Sequence, residues 1–413
     1  MSRVPPLLPR SALGLKFAAA GCAIAAVLCG GTAVANPLVY VTQKHSNAVA
    51  VIDAATNTVI KQIIIGDSPS EIAVSPDRQQ VYAVDAGDKA NDVSVIDVES
   101  QQVVQTIKVG KLPLGVEFRP DGAFAYVTST DTASLSVIDT ATDTVVGTIK
   151  VGPTPSGLAA SPDGALLYVA NAEELDHPKV GTVSVIDTAT NTVLGTVTVG
   201  NNPFAVAITP DGRSAYVVNS NSLMTRGPGS VSVIDVGTNT VSNTIAVGNN
   251  PLGVAITPDG RSAYVTDFSD NTVHVIDTAS QTAGTTISVG NGPLGIAITP
   301  DGRFVYVANR QPFGEPANGD MSVIDTATNT VVATIPIGSN PTGVAIGALP
   351  VCPGDCDGDG TVTIAELLRA VNIALGDDAV TTCEAADVSG DGTVTISELL
   401  AAVNATLVGC PTH

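Results

Sequence analysis

The tripeptide Val-Ile-Asp occurs seven times in this chain and restricts its fold more than any other feature of the sequence. Each copy is followed 13 residues later by a glycine, and each of these glycines is followed three residues later by a proline. Copies at a period of 42 to 48 residues predict seven like structural units that share a continuous core. The repeated aspartates are Asp53, Asp97, Asp139, Asp187, Asp235, Asp277 and Asp325.

Within each unit, short β-branched segments alternate with turn sequences. The sixth unit has an apolar run at 252–257, a Pro-Asp-Gly turn at 258–260 and strand-like segments at 262–266, 272–276 and 285–289. Four short strands per unit are typical of a propeller blade. The alternative is a parallel β-solenoid, but its coils are shorter and contain fewer tight hairpins. We therefore predict an all-β, seven-bladed β-propeller.

The two ends of the repeat region complement each other. The first unit begins at Leu38 and lacks the first strand of its blade, whereas the last unit ends with an additional strand at 342–347. Pairing of 342–347 with 38–42 would complete the first blade and remove two exposed sheet edges. We predict that the propeller spans 36–348 and is closed in this way.

The strand sequence Tyr-Val-Ala-Asn at 168–171 and 306–309 is followed in both units by Val-Ile-Asp-Thr-Ala-Thr-Asn-Thr-Val. Over residues 37–347 this pattern resembles the YVTN-repeat β-propellers, which are exported or cell-surface proteins of bacteria and archaea. The resemblance implies a propeller fold and export. It implies no particular activity, because propellers host unrelated functions.

The composition changes after residue 347, where two copies of a calcium-loop pattern follow. In a twelve-residue EF-hand loop, oxygen ligands at positions 1, 3 and 5, a glycine at position 6 and a glutamate at position 12 surround one Ca²⁺. We predict two Ca²⁺ ions in a small α-helical module at 349–413. The predicted ligands are Asp355, Asp357, Asp359, Thr361, Thr363 and Glu366 in the first loop and Asp387, Ser389, Asp391, Thr393, Thr395 and Glu398 in the second.

Each loop leads into an amphipathic segment, and the duplicated loop–helix unit at 355–408 resembles dockerin type I modules, which dock onto cohesin domains. That family usually ends its loops with aspartate, has small polar residues at positions 10 and 11 and lacks cysteine. This chain has glutamate, isoleucine at position 10 and four cysteines. The resemblance implies calcium binding and a cohesin-like partner. We expect the helices to pack together through Ile364, Leu367, Leu368 and Val371 and their counterparts Ile396, Leu399, Leu400 and Val403.

The N-terminus has the pattern of a secretory signal. Basic residues precede an apolar segment at 17–31, and Ala33-Val34-Ala35 fits the small-residue site that signal peptidase recognises. As a helix this segment would span about 22 Å, which is less than a hydrocarbon core of about 30 Å. We therefore predict a cleaved signal peptide at 1–35 and a secreted chain that does not insert into the membrane.

Four cysteines remain after that cleavage, and all lie in the C-terminal module. An even number of cysteines in an exported small module predicts two disulfides, for which three connectivities are possible. We favour a bridge from Cys410 to either Cys352 or Cys356.

Charge and residue types argue against several classes of function. A formal net charge of −21 at pH 7 disfavours binding to nucleic acid or anionic membranes. The four histidines are scattered, and the repeated aspartates are expected to cap turns rather than to act in catalysis. We predict a non-catalytic binding or scaffold protein with a protein, cell-surface or polysaccharide partner. The alternative is a lactonase-like hydrolase at the channel mouth, with Glu71, Glu117 and Arg119 as candidate residues.

A tyrosine recurs in every unit, and insertions fall only between this tyrosine and the Val-Ile-Asp aspartate of the same unit. The longest occur in units four, five and seven. Insertions on one face of a repeat array often mark a binding face. The candidate binding residues in these connections are His177, Lys179, Met224, Arg226, Arg310, Phe313 and Glu315.

Overall fold

The computed structural model describes residues 37–87, 91–172, 180–220, 228–310, 319–338 and 340–348, and then 354, 356, 362–376, 383, 386–387 and 394–408. The predicted signal peptide at 1–35 lies outside the described residues. The repeat region forms seven four-stranded antiparallel sheets, which are the blades of a β-propeller. The predicted fold class is thereby confirmed, and the solenoid alternative is excluded.

Each blade consists of an inner, a second, a third and an outer strand. The inner strands are β4 (Pro69–Val74), β8 (Pro113–Phe118), β12 (Pro155–Ala160), β16 (Pro203–Ile208), β20 (Pro251–Ile256), β24 (Pro293–Ile298) and β28 (Pro341–Ala348). The second strands are β1 (Pro37–Gln43), β5 (Gln80–Asp85), β9 (Phe124–Ser129), β13 (Leu166–Asn171), β17 (Ser214–Asn219), β21 (Ser262–Asp267) and β25 (Phe304–Asn309).

The third strands carry the Val-Ile-Asp repeats, and the outer strands follow them. The third strands are β2 (Ala48–Asp53), β6 (Asp92–Asp97), β10 (Ser134–Asp139), β14 (Val180–Asp187), β18 (Pro228–Asp235), β22 (Thr272–Asp277) and β26 (Gly319–Asp325). The outer strands are β3 (Thr58–Ile64), β7 (Gln102–Lys108), β11 (Thr144–Lys150), β15 (Thr192–Asn201), β19 (Thr240–Asn249), β23 (Thr282–Ser288) and β27 (Thr330–Gly338).

The first blade contains both ends of the repeat region. Its strand order is β28-β1-β2-β3, and β28 pairs with β1 in the register Leu38↔Gly347, Val39↔Ile346 and Tyr40↔Ala345. The last strand of the propeller therefore supplies the inner strand of the blade that the first strand begins. The ring of sheets is closed by main-chain hydrogen bonds.

Inner strands of neighbouring blades approach closely because their third residue is glycine in most blades. A Cβ at Gly115 would lie only 2.6 Å from the carbonyl oxygen of Ser156 in the next blade. Thr128 Oγ1 accepts a hydrogen bond from Gly115 N (2.8 Å) and donates one to Ser156 O (2.9 Å). The threonine of this second strand thus links its own inner strand to the next one.

The repeated aspartates cap the turns between third and outer strands, as predicted. Asp187 Oδ1 accepts from Thr190 N at 2.8 Å, and Asp235 Oδ1 accepts from Thr238 N at the same distance. The backbone and hydroxyl of Thr190 lower the pKa of Asp187 by hydrogen bonding, and the hydroxyl and backbone of Thr238 do the same for Asp235. The aspartates are therefore turn-forming residues, which accounts for their occurrence in every blade.

The repeated tyrosines connect each blade to the next. Tyr168 is fully buried, and its hydroxyl donates to Oδ1 of Asn239 in the turn of the following blade at 2.6 Å. Five of the seven tyrosines reach an asparagine or aspartate in this way. The hydroxyl of Tyr40 has no hydrogen-bond partner within the described part of the chain, and the turn of the next blade has Gln101 at the corresponding position.

Two helices lie in the C-terminal segment, α1 (Ile364–Leu375) and α2 (Ile396–Val408). Helix α1 begins with a capping box between Thr363 and Glu366 and ends at Gly376, which adopts a left-handed conformation with φ of 83°. Within the described ranges, no helix combines the length and the hydropathy that crossing a bilayer requires.

We predict that Tyr168→Phe lowers the free energy of unfolding by about 1 kcal/mol, because it removes a buried hydrogen bond and leaves the Asn239 carbonyl oxygen without its donor. Tyr40→Phe is the matched control, since it removes a buried hydroxyl that has no partner among the described residues. It should leave the stability unchanged or raise it slightly. Urea unfolding of both variants measures the difference, and equal losses would contradict the proposed link between blades.

A second prediction concerns Asp85, which is fully buried and accepts a hydrogen bond from Ser94. Burial, followed by the charge of Asp92, raises the pKa of Asp85 from 3.8 to about 7. The unfolded chain loses this proton near pH 4 while the folded protein keeps it until about pH 7. The contribution of Asp85 to stability therefore falls between these values and stays low at higher pH.

Asp85→Asn should increase stability at pH 8 by on the order of 2 kcal/mol and have little effect at pH 4. Asparagine occupies the same position in other blades, where Asn171 donates to Ser184 Oγ at 3.0 Å. Asp131→Asn, at an exposed aspartate, is the control for the loss of one carboxylate. Urea unfolding at the two pH values checks this, and a variant that is less stable at pH 8 would refute it.

Candidate calcium module and central channel

The glutamate at position 12 of the first calcium loop is buried and faces the start of its loop. Glu366 is only 5 % exposed, and its Oε1 accepts from Cys356 N at 2.7 Å. Its Oε2 accepts from both the backbone nitrogen and the hydroxyl of Thr363 at 2.8 Å. The carboxylate thereby joins the second position of the loop to the beginning of α1.

The second loop repeats this arrangement. Glu398 is 7 % exposed, and its Oε2 accepts from Thr395 N at 2.7 Å and from Thr395 Oγ1 at 2.8 Å. Two carboxylates that are buried at the same position of two loops fit a hard divalent cation, for which a closing bidentate carboxylate is the strongest single ligand. The remaining predicted ligands, apart from Asp387, lie outside the described residues: Asp355, Asp357, Asp359, Thr361, Ser389, Asp391 and Thr393.

The described residues do not by themselves form a metal-binding group of three or more His, Cys, Asp or Glu side chains. Thr363 and Glu366 are in contact in the first loop, as Thr395 and Glu398 are in the second. The part of the module that the structure describes thus contains the closing end of each loop.

A disulfide joins Cys356 to Cys383, with Cα atoms 4.7 Å apart. It connects the first calcium loop to the segment before the second loop. Cys383 is 2 % exposed and packs with Ala370, Ile373 and Val394. This pairing corrects our expectation for Cys356, which therefore does not pair with Cys410. Cys352 and Cys410 lie outside the described residues.

The buried face of the two helices differs from the expected one. In α1 the buried residues are Glu366, Ala370 and Ile373, and in α2 Ala402 is fully buried. Ala370 packs with Cys383 and Val394, and the Cβ of Ala402 would lie 2.8 Å from a Cβ at Gly354, so the buried faces of the helices contact the loop segments and the disulfide. Four of the eight residues that we expected in the helix contact are partly buried: Leu367, Val371, Leu399 and Val403. Our expectation was wrong for the other four, which are exposed: Ile364 (74 %), Leu368 (59 %), Ile396 (78 %) and Leu400 (59 %).

The inner strands of all seven blades surround a central channel with a cavity of about 420 Å³. Two partly buried glutamates line it, Glu71 from β4 and Glu117 from β8. Burial raises the pKa of each to about 7. Ala160 N donates to Glu117 Oε1 at 3.5 Å. The other blades have glycine or alanine at the position of Glu71 and alanine at that of Glu117.

Arg119, the third residue of the lactonase-like set, does not line this cavity. Its guanidinium donates to both carboxylate oxygens of Asp121, at 2.7 and 2.6 Å, and lies 4.7 Å from the ring centre of Phe124. This ion pair lowers the pKa of Asp121. The structure therefore brings Glu71 and Glu117 to one cavity and places Arg119 elsewhere.

Two basic residues line the channel cavity, Lys44 and Arg310. Each directly follows a second strand, and the other blades have alanine, threonine, serine or phenylalanine at this position. Arg310 was among the predicted loop residues and Lys44 was not, although alignment of the seven units at this position identifies both as basic exceptions. The other candidates, His177, Lys179, Met224, Arg226, Phe313 and Glu315, lie outside the described residues.

Comparison with known proteins supports two parts of this architecture. Residues 353–405 match the family described as "Dockerin type I domain". A comparison with curated proteins gives no match. Among solved structures, hydrazine synthase of Kuenenia stuttgartiensis is similar with 23 % identity and a TM-score of 0.61, over 72 % of this chain and 97 % of that one.

Two further structures show the same likeness of fold. A functionally unknown protein from Desulfotomaculum acetoxidans has 18 % identity and a TM-score of 0.62, over 75 % of this chain and 98 % of that one. The dihydro-heme d1 dehydrogenase NirN, in complex with DHE, has 16 % identity and a TM-score of 0.55, over 76 and 75 %. Identities this low indicate the fold alone. The chain thus combines a seven-bladed β-propeller with a C-terminal segment that matches dockerin type I domains.

Proposed function

We propose that this chain is an exported, non-catalytic binding protein whose C-terminal module attaches it to a protein partner in a calcium-dependent manner. The observation that carries the proposal is the pair of buried carboxylates, Glu366 and Glu398, which close two loops in the same way. The dockerin match covers both loops, and dockerin domains bind calcium and cohesins. Such modules occur in secreted or cell-surface proteins, which agrees with the predicted export.

Each loop would hold one Ca²⁺. The first loop offers four side-chain carboxylates and the second offers three, so the first should bind more tightly. The bound ions supply positive charge to an acidic module and fix its loops relative to its helices. The disulfide at Cys356 already restrains the first loop, which reduces the ordering that calcium binding requires there.

The partner would contact the exposed apolar side chains of the helices. Ile364 and Leu368 of α1 occupy the same positions as Ile396 and Leu400 of α2, so two similar apolar patches result. Large apolar side chains grouped on a small module are typical of interaction surfaces. A cohesin-like protein is the partner that the dockerin match favours.

The propeller would bind a second partner, either a protein, a cell-surface component or a polysaccharide, through the connections between second and third strands. The strand pairings Pro69↔Asp85 and Pro293↔Asn309 support this proposal, because the second strands end where the inner strands begin. The strand ends that flank the long connections therefore lie on the same face as the channel mouth.

A lactonase-like activity is the second candidate, because two carboxyls with a pKa of about 7 line the channel. Two of the proteins with a similar fold are also enzymes, a hydrazine synthase and a dihydro-heme d1 dehydrogenase. Arg119 does not line this cavity, which argues against a hydrolase site made of all three residues. Binding without catalysis requires no such set and is the simpler proposal.

Calorimetric titration of the full chain with Ca²⁺ should reveal two ions. Glu366→Gln should remove or weaken one site by tenfold or more, since it removes the closing bidentate carboxylate, and Glu398→Gln should do so for the other. Glu99→Gln, in an exposed turn of the propeller, is the matched control. Unchanged binding in both loop variants would contradict the calcium sites.

Capture of a cohesin domain by the immobilised chain should require calcium and be abolished by a chelator. Substitution of aspartate for Ile364, Leu368, Ile396 and Leu400 together should abolish capture, because it places charges on both apolar patches. Ile64→Asp is the control, since Ile64 is 72 % exposed on an outer strand of the propeller. Capture by the fourfold variant, with calcium binding intact, would exclude these helix surfaces.

A further inference from the structure

The central channel contains opposite charges at different depths. Lys44 follows β1 and Arg310 follows β25, and the pairings Gln43↔Pro341 and Asn309↔Pro293 place both at the end where the inner strands begin. Glu71 is the third residue of β4, about 7 Å further along the channel at the usual rise per residue. Along the backbone, the positions of the two basic residues and of Glu71 are thus separated by about the length of a short aliphatic chain.

The carboxyl of Glu71 reaches towards the closing strand of the ring. A Cβ at Gly343 would lie 3.1 Å from Glu71 Oε2 and 2.8 Å from Glu71 Cα. The absence of a side chain at Gly343 thus leaves the space into which this carboxyl extends. Both residues are innermost-strand residues, so Glu71 lies at the contact between the first and second blades.

Burial disfavours the charged forms of Lys44 at one depth and of Glu71 at the other. Burial, followed by the nearby charge of Arg310, lowers the pKa of Lys44, with Asp67 acting in the opposite direction. Burial raises the pKa of Glu71 to about 7. A ligand with a negative group at the basic end and a positive group at Glu71 would favour the charged form of both side chains.

The wall between these groups is largely apolar. Leu114, Phe204, Leu252 and Leu294 line the cavity together with the charged residues. A volume of about 420 Å³ accommodates a small molecule rather than a protein segment. Apolar walls between two charged ends match a ligand with an aliphatic spacer between two charged groups.

We propose that the channel binds a small zwitterion, with its carboxylate at Lys44 and Arg310, its ammonium group at Glu71 and an aliphatic spacer between them. This inference goes beyond the proposed function, since it requires neither calcium nor the C-terminal module. A simple organic anion or a simple amine would satisfy only one of the two charged positions.

Calorimetric titration of the calcium-loaded full chain with 6-aminohexanoate, hexanoate and hexylamine tests the proposal. We expect 6-aminohexanoate to bind at least tenfold more tightly than either singly charged compound. Lys44→Gln should weaken 6-aminohexanoate and hexanoate but leave hexylamine unchanged. Glu71→Gln should weaken 6-aminohexanoate and hexylamine but leave hexanoate unchanged. Lys61→Gln and Glu99→Gln, at exposed positions of the propeller, should change none of the three.

Equal affinity for hexanoate and the zwitterion, with no effect of Glu71→Gln, would indicate a simple anion site and overturn the proposal. Equal affinity for hexylamine, with no effect of Lys44→Gln, would overturn it in favour of a cation site. Absence of binding by 6-aminohexanoate and by its shorter and longer homologues, 4-aminobutanoate and 8-aminooctanoate, would also overturn it. Thermal unfolding controls for the integrity of each variant, and Lys44→Gln changes a turn residue outside the strands. Calcium-dependent capture of a cohesin is unaffected by any of these results.

Discussion

The pairing of β28 with β1 is the contact on which the propeller depends. Each blade packs its two faces against the neighbouring blades. An open array of seven blades would therefore leave one apolar face exposed to solvent at each end. By completing the first blade from both ends of the repeat region, this pairing gives every blade two neighbours. The closing strand also contributes Gly343 to the channel wall, so closure determines the geometry around Glu71 as well.

The width of the channel follows from close contacts between inner strands. Gly115 approaches the Ser156 carbonyl so closely that any side chain would collide with it. Thr128 stabilises this approach by hydrogen bonds to both strands. Because neighbouring inner strands lie so close together, a large side chain on the third residue of an inner strand must extend into the channel or between blades. The glutamate at position 71 therefore introduces a charged group into an otherwise small-residue ring.

The two parts of the chain use carboxylates in opposite ways. In the C-terminal module, Glu366 and Glu398 are buried and accept hydrogen bonds from backbone N–H groups. In the channel, desolvation raises the pKa of Glu71 and Glu117 to about 7. The first environment favours a metal ion, and the second favours a ligand that brings its own positive charge.

The sequence by itself determined the number of blades, the strands of each blade and the role of the repeated aspartates. It also determined that the C-terminal module matches a calcium-loop pattern. These features are local or repeated, so spacing and residue type suffice to predict them. The tertiary structure decided which distant residues meet. It placed Lys44 and Arg310, which are 266 positions apart, beside one cavity, and it separated Arg119 from Glu117 although they are two positions apart. It also buried Ala370 instead of Leu368, because the disulfide brings Cys383 against the Ala370 face of the helix, and hydropathy along the helix does not show which face such a distant contact will cover.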